Sequence, residues 1–168
     1  GLHKRGYRRN SNAAPIKETL AAGIIDLAQV RRDTVFCDPF CGSGTLLIEA
    51  AYKALNIAPG LKRTFAAEKW DSLPENIWRE ERTRAMDSII RDSDFYAYGY
   101  DIDPECVALS TDNCAKAGVR NRIKVEKADI KDYVNRDNTL TVCNPPYGER
   151  LLDIDEARRL YGVCGRVF

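Results

Sequence analysis

Apolar residues at Ile16, Leu20, Ile24, Leu27 and Ala28 recur every three or four positions, which predicts an amphipathic helix from about residue 15 to residue 30. The run Thr34-Val-Phe-Cys-Asp38 that follows is too short for a helix and predicts a buried strand ending in a carboxylate and Pro39. Gly42 and Gly44 then mark a turn, and Thr45 to Leu55 is apolar enough to be a helix packed on a sheet. Strand, glycine turn and helix together open a βαβ unit. Residues 56 to 95 are more polar and read as an insertion, with a helix around 75 to 91 whose Trp78, Ala85, Met86 and Ile89 share one face. Regular structure resumes with a strand over Tyr96 to Asp101, then a helix with Asp103 as N-cap, Pro104 in its first turn and an end near Gly118. Ile123 and Val125 alternate into a third strand that stops by Asp129, and Leu140 and Val142 make a fourth, followed at once by Asn144-Pro-Pro-Tyr147. Four short strands separated by helices predict an α/β fold with a doubly wound, mostly parallel sheet.

Composition narrows the class without changing this picture. The 168 residues, 44% hydrophobic and 30% charged, suit one ordinary globular domain, and no apolar stretch approaches the roughly 18 residues of a membrane span. Fibrous, disordered and transmembrane readings are excluded. The net charge of +1 is uneven, because residues 1 to 32 carry seven lysines and arginines against Glu18 and Asp26. That basic end either meets phosphates or is a solvated surface. Six cysteines without a C-x-x-C pair, and a single histidine, His3, argue against structural zinc. With no apolar leader in GLHKRGYRRN, the expectation is a cytoplasmic protein with reduced thiols. Trp70 and Trp78 are candidate base-stacking platforms, although tryptophan at helical spacing more often simply packs.

In a doubly wound sheet ligands sit at the carboxyl ends of the strands, near the switch in strand order. Asp38, Asp101, Asp129 and Asn144 all stand at such ends. DPFCGSGT has no lysine, so it is not a phosphate-binding Walker loop. A dinucleotide fingerprint fails as well, since its third glycine is missing and Asp101 lies 57 positions beyond Gly44. The pattern suits a cofactor without phosphates: glycines for close backbone approach, Asp38 for an ammonium group, Asp101 for ribose hydroxyls and Asp129 for an adenine amino group.

The blocks DPFCGSGT, YGYD and NPPYGER, in this order and spacing, resemble the class I S-adenosylmethionine-dependent methyltransferases that methylate amino groups. LHKRGYR at 2 to 8, APIKETLAAGII at 14 to 25, APGLKR and EKW in the insertion, and NPPYGER at 144 to 150 resemble more closely the bacterial THUMP-containing enzymes that modify guanine N2 of 23S ribosomal RNA. Members of that family are often labelled adenine-specific DNA methylases. The resemblance spans essentially all of residues 1 to 168. It implies one Rossmann-like catalytic domain with the insertion at 56 to 95, and a family sheet of seven strands of which four are here. On that view the chain is a fragment, cut after strand four and without the THUMP module. The resemblance assigns S-adenosyl-L-methionine as cofactor. Asp38, Pro39, Phe40, Cys41, Gly42, Ser43, Gly44 and Thr45 would face its methionine part, with Lys17, Glu18 and Thr19 packed over that end. Asp101 would meet the ribose and Asp129 the adenine, and Ile102 and Ile130 would also contact the cofactor. Asn144, which also borders the cofactor, would act on the target base with Pro145, Pro146 and Tyr147.

The chemistry agrees with these residue types. An exocyclic amino group is a poor nucleophile because its lone pair is delocalised into the ring. Two acceptors, the side-chain oxygen of Asn144 and the carbonyl of Pro145, can hold its N–H groups while the prolines fix the turn. Tyr147 would stack on a base swung out of its helix. No metal is called for, and Cys143, on the strand before the tetrad, reads as buried packing rather than a nucleophile. The expected partner is ribosomal RNA, with no membrane. Adenine N6 of DNA or RNA is the alternative substrate, and a non-catalytic module that binds cofactor or RNA is the alternative class.

Overall fold

A computed structural model describes residues 4–7, 16–74, 76–147 and 153–168. The amino-terminal LHKRGYR block, the start of the first helix at Pro15 and the GER of NPPYGER fall partly or wholly outside the described residues.

The described chain runs α1 (Glu18–Leu27), β1 (Val35–Asp38), α2 (Thr45–Ala54), α3 (Ile77–Asp87), β2 (Tyr96–Asp101), α4 (Pro104–Ala117), β3 (Ile123–Lys127), β4 (Thr139–Thr141) and α5 (Ile154–Val167). The sheet order is β3-β2-β1-β4, and every described ladder is parallel. β1 is central: Val35 stands opposite both Tyr96 of β2 and Thr139 of β4. From β1 the chain winds outward through β2 to β3 and then returns to the other side of β1. The order therefore switches between β1 and β4, where a doubly wound sheet opens a crevice. β4 forms an edge of the described sheet.

Phe36, Leu47, Ile48, Phe95, Ala97, Val119 and Ile123 are buried in the core between the sheet and α1, α2 and α4. A β-carbon at Gly99 of β2 would fall 2.4 Å from Leu47 Cδ1, so the close approach of α2 to the sheet requires a residue without a side chain there. Asp103 caps α4 by accepting the Glu105 N–H at 2.8 Å, and Gly118 ends that helix in the left-handed conformation, both as expected.

Some sequence expectations need correction. The spacing placed Leu20 and Leu27 on the buried face of α1, yet they are 57% and 86% exposed. The buried face is instead Glu18, Ala21 and Ile25, where the small Ala21 lets α1 approach α2. In α3 no residue is fully buried, and Met86 is exposed; the shorter helix is held through Trp78, stacked on Phe65 with ring centroids 5.5 Å apart. That tryptophan packs, as its spacing suggested. No helix separates β3 from β4, only a 3-10 turn over Ile130–Asp132. Arg5, counted with the basic end, is partnered: its guanidinium lies 3.2 Å from the buried Glu49 carboxylate, which also accepts from the Tyr7 hydroxyl at 3.3 Å. Among the described residues no helix is long and apolar enough to cross a membrane.

Candidate active site

The loop after β1 is built to turn sharply and stay put. Asp38, at the strand end and 1% exposed, accepts the Phe40 N–H at 3.0 Å. Burial pushes its carboxyl up to about 7; the Phe40 N–H opposes the rise and the Asp101 charge adds to it. Gly42 and Gly44 have φ of 50° and 79°, the left-handed region in which a side chain is strained. At Gly44 a β-carbon would also meet Ser110 Oγ at 2.3 Å.

Two bonds tie this loop to β2. The Cys41 N–H donates to the Tyr100 carbonyl at 2.9 Å, and the Gly42 N–H donates to Asp101 Oδ2 at 2.9 Å. The other Asp101 oxygen accepts the Asp103 N–H at 3.0 Å. A carboxylate offers about four lone-pair sites, so each oxygen retains capacity for a ligand hydroxyl. Asn113 of α4 holds the loop from below, donating to the Ser43 carbonyl at 3.0 Å. At the end of β3, Asp129 accepts the Lys131 N–H at 3.0 Å, and this bond draws its carboxyl below the usual range. Val142 donates to the Cys37 carbonyl at 3.0 Å, extending the parallel pairing beyond β4 and delivering Asn144 to the same edge.

These strand ends surround one cleft of about 760 Å³. Asp38, Pro39, Phe40, Cys41, Gly42, Ser43, Thr45, Asp101, Ile102, Asp129 and Ile130 line it, and so do Asn144, Pro145, Pro146 and Tyr147. Asn144 is exposed, and Tyr147 is 42% exposed, leaving its ring open to a flat partner. Lys17, Glu18, Thr19 and Gly44 are not on the wall. Ile16, next to Lys17, is on it; Glu18 is buried in the helix interface, and Gly44 packs against α4. Cys143 is half-buried, and burial pushes its thiol up to about 12, which keeps it protonated and poorly nucleophilic. Among the described residues no cluster of His, Cys, Asp and Glu is arranged to hold a metal ion.

Sequence alone places no site residue beyond Tyr147, yet Glu156, Arg159, Leu160 and Val163 of α5 close the remaining side of the cleft. A signal was present. Asp153 and Glu156 form a capping box, the Glu156 N–H donating to Asp153 at 2.7 Å and Glu156 accepting the Asp153 N–H at 3.2 Å.

A family model described as the RMKL-like methyltransferase domain matches residues 5–168. Ribosomal RNA large subunit methyltransferase K/L of Aliivibrio salmonicida (strain LFI1238) is 39% identical over 178 residues, covering 99% of this chain and 24% of that protein. The crystal structure of a possible methylase from Clostridium difficile 630 is 46% identical with a TM-score of 0.93, over 99% of this chain and 44% of that one. SMU.472, crystallised in complex with SAH, is 40% identical with a TM-score of 0.90, over 99% of this chain and 44% of that one. The chain thus spans less than half the length of the curated relatives it matches.

Proposed function

We propose that this chain, which belongs to the RMKL-like methyltransferase domain family, transfers a methyl group from S-adenosylmethionine to an exocyclic amino group of a base in RNA, guanine N2 of 23S ribosomal RNA. The observation that carries this reading is the placement of Asn144-Pro-Pro-Tyr147 on the same cleft as the β1–α2 loop, Asp101 and Asp129. Residues 1 to 168 would form one catalytic unit, with 56 to 95 as an insertion, acting in the cytoplasm where ribosomal RNA is modified.

The wall fits the cofactor. Its volume lies within the range of small-molecule sites. Asp38 suits the ammonium group, and the first turn of α2, opening from Gly44 without a side-chain cap, offers N–H groups to the carboxylate. Asp101 suits the ribose hydroxyls and Asp129 the adenine amino group, with Ile102 and Ile130 as apolar wall beside them. That SMU.472 was crystallised with SAH supports the assignment. When bound, the cofactor supplies an electrophilic methyl group on a sulfonium.

The chain's own residues do the rest. Asn144 accepts one N–H of the target amino group through its side-chain oxygen and Pro145 the other through its carbonyl. Both contacts strengthen as the nitrogen becomes tetrahedral and positive. Tyr147 stacks on the flipped base and holds the nitrogen in line with the methyl carbon. As the N–C bond forms, the bond from the methyl carbon to sulfur would break and leave S-adenosylhomocysteine, and the nitrogen gives up one proton to water.

The test is incubation with isotope-labelled S-adenosylmethionine and either ribosomal RNA or duplex DNA, followed by nucleoside analysis. N2-methylguanosine from RNA is expected. N6-methyladenine from either nucleic acid would transfer the assignment to adenine. Cofactor binding without product would leave a binding module.

A further inference from the structure

The cleft is acidic with one exception. Asp38, Asp101, Asp103, Asp129 and Glu156 place five carboxyl groups on its wall, Asp129 paired with Lys131 at 3.1 Å, and Arg159 is the one lysine or arginine lining it among the described residues. Such a wall suits a cationic cofactor and repels a polyanion.

Glu156, Arg159, Leu160 and Val163 fall at i, i+3, i+4 and i+7 of α5, one face of the helix. Glu156 is spaced to neutralise Arg159, but its carboxylate is bent back to the Asp153 N–H by the capping box. The neighbouring Arg158 points its guanidinium to Asp155 at 3.6 Å. Arg159 makes no ion pair among the described residues. Arg159 is an exposed residue of the cleft wall, whereas Asp38, which would take the ammonium group, is buried.

Resting on the reading of this cleft as an RNA amino-methylation site, we infer that Arg159 grips a phosphate of the RNA next to the flipped nucleotide. A guanidinium suits this because its planar fork donates two parallel hydrogen bonds to phosphate oxygens. Arg159 is then a substrate-positioning residue that offsets the acidic wall at the point where the backbone must come close, whereas Tyr147 reads the base.

The other anion that could reach this guanidinium is the cofactor's carboxylate, and the experiment separates the two. Binding of a fluorescent fragment of 23S ribosomal RNA is measured with S-adenosylhomocysteine present over a series of salt concentrations, and S-adenosylmethionine affinity is measured separately by calorimetry. For Arg159→Ala, RNA affinity should fall about tenfold, and the slope of log affinity against log salt should become shallower by roughly 0.7 to 1, the loss of one phosphate contact. Cofactor affinity should stay within about twofold. Arg159→Lys should restore most of the salt slope but less of the affinity, and Arg158→Ala should match the wild type. A loss of cofactor affinity in Arg159→Ala would overturn the proposal by assigning the guanidinium to the methionine carboxylate. An unchanged salt slope beside a normal wild-type slope would overturn it while leaving the reading of the cleft intact. A wild-type protein without salt-dependent RNA binding would overturn both.

Discussion

α2 and α3 are nearly equal in length, 10 and 11 residues, yet nine residues of α2 are buried and none of α3. α2 lies between α1 and the sheet, and its first residue is the last of the loop that turns over the cleft. α3 lies in the insertion, held by the Phe65–Trp78 stack and by Arg82, which donates to Glu68 at 2.6 Å. The insertion reaches the other end of α2, where the Ile90 N–H donates to the Leu55 carbonyl at 2.8 Å, and none of its described residues lines the cleft. Burial is concentrated where the site needs geometry. An attached segment with few buried contacts can change at little cost to the chemistry.

Leu47→Ala should break the α2 side hardest. Leu47 is 0% exposed and fills the space above Gly99, so its truncation should cost about 2 to 5 kcal/mol in denaturant unfolding and loosen the cofactor loop, weakening S-adenosylmethionine binding in calorimetry. A small stability loss with intact binding would erase the distinction between the helices.

The pH dependence of cofactor binding should be next in size. Asp38 has its carboxyl raised from 3.8 to about 7 by burial, so the folded state holds a proton that the unfolded state has released. Stability should therefore fall as pH rises from about 4 to 7. A cofactor ammonium favours the charged carboxylate, so cofactor affinity should move the other way, falling about tenfold per unit as pH drops below about 7. Asp38→Asn should bind weakly with a flat profile. A steep profile surviving in that variant would assign the titration to another group.

Trp78→Ala should be the mildest. Trp78 is half-buried, and its stack with Phe65 is worth about 0.5 to 1.5 kcal/mol beyond its area, so thermal unfolding should shift by a few degrees while cofactor affinity stays the same. A weakened cofactor would show that the insertion supports the site after all.

The same contrast explains what was legible in the sequence. β2 and α2, enclosed on several sides, were readable from apolar runs, and Asp103 and Gly118 from the chemistry of helix ends. The strand-end residues were legible because each breaks an apolar run with a carboxylate or an amide. The buried face of α1 was misread because periodicity shows which residues are apolar but not where a neighbour will come, and α2 met Ala21 and Ile25 rather than Leu20 and Leu27. The role of Arg5 was hidden for a similar reason, since its partner Glu49 is 44 residues away. α5 carried a readable capping box and apolar residues at helical spacing, Ile154, Ala157, Tyr161 and Cys164, but its place on the cleft follows only from the tertiary fold.

The proposed chemistry has Asn144 act on the amino group and not on the cofactor. Asn144 is exposed, so Asn144→Ala should fold normally. Methyl transfer to ribosomal RNA and S-adenosylmethionine affinity are measured side by side on this variant. Turnover should fall about 100-fold or more, the scale of losing one preorganised polar contact, with cofactor affinity within about twofold of the wild type. Near-normal turnover, or a loss that follows weakened cofactor binding, would contradict it.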